Sequence, residues 1–409
     1  MRFDRIIIVL ILAVAIAAAV VWFNRLGSRT TPAPMEAVSE DGGVSLLVIG
    51  IEGLELDIVH RLVGEGKLPH FQELIQSGAT GTFTNLGKAT EAGVAWTSVA
   101  TGMTPQNHGL GATVTRRQGV ETTTGAFPDN RTAETLWTIA GSKGLSVCVV
   151  GWPATWPAEE VDGILVGPYE QYVLSRKLSN SHARGVYPPE QLEFVDGFIL
   201  DPEAIQRRDL ERFLVQDSRL GLEALVGQNY ESLREAYGGD RSAVDLTLHG
   251  CRAVDADAAI VCLEGLNLVS QRFWHYMDPT PFERLDARPE DQEFFDGQIE
   301  ALGVTIERYY GFIDGLIGEL AAAAGGDATI AVVADHGYVG IEFDRQGMPK
   351  VGHHMHSDRG VWIINGPRVR AGATVDGGAI MDFAPTLLAA AGIDADIAFD
   401  GAREDAVLK

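Results

Sequence analysis

Asp335 and His336 stand side by side where a short apolar run ends, in the stretch TIAVVADHG. Glu52 follows a similar run, SLLVIGIEG. Carboxylates and imidazoles are ligands that zinc accepts, and in α/β sheets the ligand crevice lies beyond the carboxyl ends of the strands. These three side chains therefore predict a metal or acid–base site. A structural Asp-His pair, with the acid capping a turn, is the alternative.

A second cluster of imidazoles follows in VGHHMHSDRG, which contains His353, His354 and His356. The whole chain has ten histidines, so three within four residues are unusual. They are further candidates for metal ligands or for a general acid. An ordinary histidine-rich surface loop is the alternative.

Thr90 is the first residue of a helical pattern over 90–101 and is a candidate nucleophile. A hydroxyl bound to a metal ion is activated because coordination favours the alkoxide. The same residue type is a good helix N-cap. Taken by themselves, the residues favour the capping role.

Asn267 and Gln271 are two uncharged amides spaced four apart in LEGLNLVSQRFWHYMDP. Positions i and i+4 of a helix share a face, so both amides would point at one spot. Amides are poor zinc ligands compared with carboxylate and imidazole. The pair predicts a polar hydrogen-bonding network at a place where a metal pair would otherwise fit.

The elements that must position these residues alternate between strand and helix. Apolar runs predict buried strands at 45–53, 144–153, 257–265, 329–337 and 360–366. Helical patterns fall at 55–65, 68–77, 90–101, 133–143 and 296–324. The alternation predicts an α/β layered fold with a central, mainly parallel sheet flanked by helices. Residues 166–250 are more charged and helix-forming, and we expect a cap-like insertion there.

The N-terminal segment 1–25 contains an uncharged apolar run over 6–23. This run is about long enough to cross a bilayer, so it predicts a single-pass signal-anchor, with a cleaved signal peptide as the alternative. Residues 26–44 are rich in Pro, Gly, Ser and acid and predict a flexible linker, ahead of one domain over 45–400. Arginines flank the run on both sides and hardly fix its orientation. We expect an extracytoplasmic domain, periplasmic or at the cell surface.

The composition restricts the partners. The net charge is −24 and the isoelectric point about 4.7, and a surface this acidic repels phosphate backbones. No nucleic-acid partner is expected. The three cysteines are too few for a disulfide framework, and Cys148 and Cys262 lie in apolar runs that predict core packing.

Six motifs in order resemble the type I phosphodiesterase / nucleotide pyrophosphatase branch of the alkaline phosphatase superfamily. Beyond the Glu52, Asp335 and Asn267 stretches they include AWTSVATGMTPQNHG, VVGWPATWPAEEVDGILVG and GVWIINGPRVRAGATVDGGAIMDFAPTLLAAAGI. The resemblance covers about residues 45–400. It implies an alkaline-phosphatase-like fold and a two-metal site, usually of zinc, in which a Ser or Thr attacks a phosphate ester.

Several positions depart from the pattern that the resemblance implies. Glu52 stands where the family usually has Asp, and the nucleophile position falls on Ala92, with Thr90 as the nearest hydroxyl. Asn267 and Gln271 occupy the places of a metal-binding Asp and His.

The other metal positions are kept, since Asp335, His336 and His356 match the implied ligands. The resemblance therefore implies one metal ion at most, with zinc as the first candidate and manganese or none as the others. The hypothesis that follows is a domain with weak or lost hydrolysis that binds a small phosphorylated ligand or an envelope protein.

Two alternatives remain. One is an active single-metal phosphoesterase that uses Thr90 or a metal-bound water as the nucleophile. The other is a related transferase or sulfatase-type chemistry, which the lack of a C-x-P-x-R or S-x-P-x-R run disfavours.

Overall fold

The apolar runs form the interior of a twisted sheet, which has nine strands within the described residues. The computed structural model describes residues 43–87, 90–111, 113–117, 120–124, 128–169, 173, 177, 182–279, 289–338 and 357–409. Its strands are β1 (Val44–Ile51), β2 (Ala79–Thr84), β3 (Thr113–Arg117), β4 (Val120–Thr124), β5 (Val147–Val150), β6 (Gly163–Val166), β7 (Val186–Tyr187), β8 (Ala258–Leu263), β9 (Ala324–Ala334), β10 (Arg359–Asn365) and β11 (Thr374–Val375).

The strand order across the large sheet is β11-β2-β10-β9-β1-β8-β5-β6-β7, while β3 and β4 form a separate hairpin. The four central neighbours β9, β1, β8 and β5 are all parallel, whereas β10 and β7 run in the opposite direction. The prediction of a mainly parallel α/β sheet is confirmed. Strand β2 was not predicted because ATGTFT alternates threonines with Ala79, Gly81 and Phe83 and has no continuous apolar run.

Helices cover both faces of the sheet. They are α1 (Leu56–Gly64), α2 (Pro69–Ser77), α3 (Ala92–Thr101), α4 (Pro105–His108), α5 (Leu136–Ser142), α6 (Leu192–Phe198), α7 (Gln228–Ala253), α8 (Gly265–Met277), α9 (Pro289–Leu302), α10 (Thr305–Ala322) and α11 (Phe383–Ala391). The single helical pattern predicted over 296–324 is two helices, because the chain turns at Gly303 and Val304 between α9 and α10.

The core lies in two layers, one on each face of the sheet, because successive strand side chains point in opposite directions. In β1, Leu47, Ile49 and Ile51 join the layer that contains α1, α2, α7, α8 and α10. Leu46 and Val48 join the other layer, with α3, α5 and α11. The strands are thus buried on both faces, as their continuous apolar sequences predict. Cys148 and Cys262 are buried, which confirms their core position.

The region 166–250 contains short 3₁₀ turns, the short helix α6 and most of α7. Helix α7 packs against β5 and β8, and β7 adds a two-residue strand at the edge of the sheet. The predicted anchor over 6–23 lies outside the described residues. Within the described part of the chain, no helix is both long and apolar enough to cross a membrane.

Candidate functional site

The sheet brings three acidic strand ends to one edge. Gly50 of β1 pairs with Cys262 of β8 on one side and with Val333 of β9 on the other. The first residues after these parallel strands therefore line up, and they are Glu52, Glu264 and Asp335. This edge is the carboxyl end of the sheet, where ligand sites of open α/β folds form.

Glu52, Asp335 and His336 come together at this edge, as the sequence predicts. All three side chains are buried. His336 Nε2 lies 3.9 Å from Glu52 Oε1 and 3.8 Å from Asp335 Oδ1. His336 Nδ1 lies 3.1 Å from the Gly337 carbonyl oxygen, and only a protonated ring nitrogen can donate to that oxygen. The Nε2 atom is thus the one that faces the two carboxylates.

The electrostatics of this cluster follow from burial and mutual attraction. Burial raises the pKa of Asp335 to about 7, against the opposing effect of the nearby imidazole. Burial also disfavours the charged form of His336, but the carboxylates of Asp335 and Glu52 outweigh it and raise the pKa of His336 to about 9. At neutral pH the imidazole of His336 is therefore a cation that lies between the side chains of Glu52 and Asp335.

A chain of hydrogen bonds joins the two amides to the acidic cluster. Asn267 Nδ2 donates to Glu52 Oε1 at 3.1 Å, and Gln271 Nε2 donates to Asn267 Oδ1 at 3.0 Å. Tyr338 Oη donates to the same Asn267 Oδ1 at 2.8 Å. The two amides share a helix face, as their spacing predicts. The side-chain oxygen of Asn267 is occupied by two donors, and its N–H points at the carboxylate.

Tyr338 is a site residue that the sequence analysis missed. It is buried, stacks on Trp274 with ring centroids 5.6 Å apart, and burial raises the pKa of its phenol far above the usual value. The hydroxyl therefore remains a donor. Its position two residues after His336 is the only signal in the sequence. Gly53, with φ of +80°, lets the chain turn directly behind Glu52, where an added Cβ would lie 3.1 Å from the Tyr338 ring.

Asp240 of α7 fixes the beginning of helix α8, and this residue was also missed. Asp240 Oδ1 accepts the Gly265 backbone N–H at 2.9 Å, and Oδ2 accepts the Tyr309 hydroxyl at 2.7 Å. The carboxyl is buried, and burial raises its pKa to about 7. Because Asn267 lies in the first turn of α8, the bond from Gly265 to Asp240 also helps to fix the position of Asn267.

The candidate nucleophile Thr90 does not cap helix α3, so that expectation is wrong. Helix α3 begins at Ala92, and Glu91 holds the N-cap position without a side-chain capping bond. Thr90 lies outside the helix because its backbone N–H closes a turn with the Gly87 carbonyl at 3.0 Å. Among the described residues, the hydrogen bonds of Thr90 include none to Glu52, Asp335 or Asn267. Ala92 is half-buried and packs on the apolar layer that contains α3.

Within the described residues, the donor set does not fit a two-metal site. Among the residues that the structure describes, no group of three or more His, Cys, Asp or Glu side chains is placed to hold a metal ion. Asn267 and Gln271 form a hydrogen-bonded amide pair at the two positions where the family resemblance implies metal ligands. The predicted ligand His356 and its neighbours His353 and His354 lie outside the described residues, so their roles remain predictions.

The chain belongs to the type I phosphodiesterase / nucleotide pyrophosphatase family, whose model matches residues 46–386. Members of this family typically depend on divalent metal ions. A search of curated proteins gives no match.

Solved structures show the same fold at low sequence identity. An inactive variant of murine ectonucleotide pyrophosphatase / phosphodiesterase 5, in which one threonine is replaced by alanine and which is in complex with AMP, is 12% identical. The alignment covers 90% of this chain and 100% of that chain, with a TM-score of 0.52. A second structure of the same murine protein is also 12% identical, covers 89% and 100%, and has a TM-score of 0.51. At this identity the likeness establishes the fold alone.

Proposed function

We propose that this chain is a membrane-anchored, extracytoplasmic member of the phosphodiesterase family that has lost phosphoester hydrolysis and keeps its crevice as a binding site for a small phosphorylated ligand. One observation carries the proposal: Asn267 Nδ2 donates to Glu52 Oε1 at 3.1 Å. The positive end of an amide dipole lies where a second cation would have to approach. The nucleophile position is an alanine, which has no oxygen for attack.

The charges of the cluster support the same proposal. The His336 imidazolium lies near both Glu52 and Asp335 and offsets one of their two negative charges. The amide oxygen of Asn267 is satisfied by Gln271 and Tyr338. Because this oxygen already accepts from two donors, it is not free to bind a dication.

Phosphate recognition has two supports. Strand β2, which precedes helix α3, ends at this edge of the sheet. The first turn of α3 receives no side-chain cap from Glu91, so backbone N–H groups remain for an anion. The murine relative with a threonine-to-alanine change is described as inactive and in complex with AMP. Ala92 stands at the nucleophile position that the family motifs imply, and a nucleoside monophosphate is the first ligand to test.

The test uses the full chain, purified without added metal. Bound metal is measured by mass spectrometry, turnover of a generic phosphate diester is assayed with and without Zn²⁺ or Mn²⁺, and AMP binding is measured by calorimetry. We expect far less than one metal ion per chain, no metal-dependent turnover, and AMP binding that the variant Asp335→Asn alters. Two tightly bound zinc ions would overturn the proposal, as would turnover.

A single-metal phosphoesterase is the second candidate. Its support is Asp335 Oδ1, which is buried and has no hydrogen-bond partner among the described residues. In that case the wild type would bind one zinc ion and would hydrolyse the diester. Loss of turnover in Thr90→Ala would identify Thr90 as the nucleophile, whereas turnover that persists in this variant would identify a water molecule.

The assignment of the substituted positions has its own test. The triple variant Ala92→Thr, Asn267→Asp, Gln271→His restores a hydroxyl, a carboxylate and an imidazole. We expect it to acquire metal-dependent diester turnover, whereas Ala92→Thr alone does not. A triple variant that folds and binds zinc but stays inactive would show that these positions do not face the phosphate.

A further inference from the structure

Helix α7 and strand β5 bring two of the three cysteines together, although neither the motifs nor the candidate site involve them. Cys148 lies in β5 and is fully buried, while Cys251 lies in the last turn of α7 and is partly exposed. The two are separated in the chain by about 100 residues, which include the region 166–250.

Three observations place the sulfur of Cys148 on the face of α7 that carries Cys251. Cys148 Sγ lies 3.8 Å from the Thr247 carbonyl oxygen, and it would lie 3.1 Å from a Cβ added at Gly250. The side chain of Cys251 packs on the same apolar layer as Cys148, and the proximity of its thiol, together with burial, raises the pKa of the Cys148 thiol. Positions 247 and 251 are i and i+4 of one helix and share a face. A glycine at 250 leaves the space in which the sulfur sits.

We propose that Cys148 and Cys251 form a disulfide bond that links α7 to β5 when the protein meets a disulfide-bonded oxidant. The sulfur of Cys148 lies against the Thr247–Gly250 turn of α7, next to Cys251, and the bond forms when the two sulfurs reach the S–S distance of about 2.05 Å. The bond would lie near the amino ends of β5 and β8, away from the site at the carboxyl edge. The inference is independent of the function proposed above.

The reaction is a thiol–disulfide exchange. The partly exposed Cys251 thiolate attacks one sulfur of the oxidant, forms a mixed disulfide and releases one thiol of the oxidant. The Cys148 thiolate then attacks the Cys251 sulfur and releases the second thiol. Two electrons pass from the protein thiols to the oxidant, and the two protons appear on the released thiols. The order follows from access, because Cys251 is partly exposed, whereas Cys148 is buried and its thiol pKa is raised by the nearby Cys251 and by burial.

The test exposes the native full chain to oxidised glutathione and then alkylates the remaining thiols in denaturant. The reduced chain has three free thiols. We expect one free thiol after oxidation and a linked peptide pair that joins Cys148 to Cys251. A gel run without reducing agent should show only monomer. The closed loop of about 100 residues should raise the melting temperature by roughly 5 °C, and reduction should reverse the rise.

Two variants sharpen the result. In Cys251→Ser we expect both remaining thiols to stay free, and in the matched control Cys262→Ser we expect none to stay free. Three free thiols after oxidation of the wild type, or a linked peptide that contains Cys262, would overturn the proposal. The wild-type peptide map decides the question even where a variant fails to fold.

Discussion

Replacing Asn267 by Asp tests the amide chain directly. The substitution keeps the shape of the side chain and the oxygen that accepts from Gln271 and Tyr338. It removes the N–H that donates to Glu52 Oε1 at 3.1 Å and puts a carboxylate oxygen in its place. Both side chains are buried, so solvent screens the new repulsion weakly.

The magnitude follows from this distance. Two unit charges about 3 Å apart repel by about 5 kcal/mol at an effective dielectric constant of about 20. The two retained hydrogen bonds gain about 1 kcal/mol each because their acceptor becomes charged. The free energy of unfolding should therefore fall by about 3 kcal/mol at pH 7. Protonation of one of the two carboxyls would remove the repulsion, so its cost sets an upper limit on the loss of stability. For a carboxyl of ordinary pKa this cost is about 4 kcal/mol at pH 7 and about 1.5 kcal/mol at pH 5.

The pH dependence has a definite sign. The pKa of the introduced carboxyl is higher in the folded than in the unfolded protein, so its destabilising effect is absent below about pH 4 and grows as the pH rises. Denaturant unfolding of the wild type and of Asn267→Asp at pH 5 and pH 7 measures it. Zinc at about 100 times its dissociation constant should return about 2.7 kcal/mol to the variant by binding the folded state.

The control is Asn267→Leu, which loses the bond to Glu52 and also the two bonds from Gln271 and Tyr338, but gains no charge. We expect its loss of stability to be insensitive to pH and to zinc. Equal pH profiles for the Asp and Leu variants would refute the charge argument. An Asp variant as stable as the wild type at pH 7 would show that the contact between Asn267 and Glu52 is absent in solution.

Three further perturbations test the surroundings of the site. Asp240 has its pKa raised to about 7 by burial, so it lowers stability as the pH rises from about 4 to 7, and Asp240→Asn should flatten that part of the unfolding profile. Gly265→Ala would bring a Cβ to 2.1 Å from the Tyr309 hydroxyl, so we expect a loss of about 2 kcal/mol in denaturant unfolding, more than for Gly311→Ala, where the added Cβ meets nothing. His108 is buried and bonded to Ser98, and burial, with Arg131 adding to it, lowers its pKa to about 4. Its contribution is present above pH 6.5 and is lost as the pH falls toward 4, so His108→Gln should reduce the acid-side slope in thermal melts.

Each of these three has a contrary outcome. An unchanged pH profile in Asp240→Asn would mean that this carboxyl does not bind a proton more tightly in the folded state. Equal stability of the two glycine variants would mean that the beginning of α8 has room to move. An unchanged acid slope in His108→Gln would assign acid unfolding to other groups.

The fold could be predicted to a large extent because buried parallel strands have an unmistakable composition. The runs before Glu52 and Asp335 became β1 and β9, and the alternation with helices fixed the layered class. Strand β2 could not be predicted, since it has no continuous apolar run and its place between β10 and β11 depends on pairing with distant parts of the chain. The break between α9 and α10 was missed because the helical pattern continues on both sides of Gly303.

The sequence alone determined which groups are available: the carboxylates and imidazole at two strand ends, the amide pair at helical spacing, and the alanine at the implied nucleophile position. These follow from residue type and from local periodicity, which act over a few residues. Tertiary structure decided what the groups do. The bond from Asn267 to Glu52 spans 215 positions, and the donation from Tyr338 to Asn267 spans 71. The approach of Cys148 to the face of α7 that carries Cys251 depends on the packing of α7 against β5. Such contacts depend on how the helices pack on the sheet, and local sequence holds no signal for that packing.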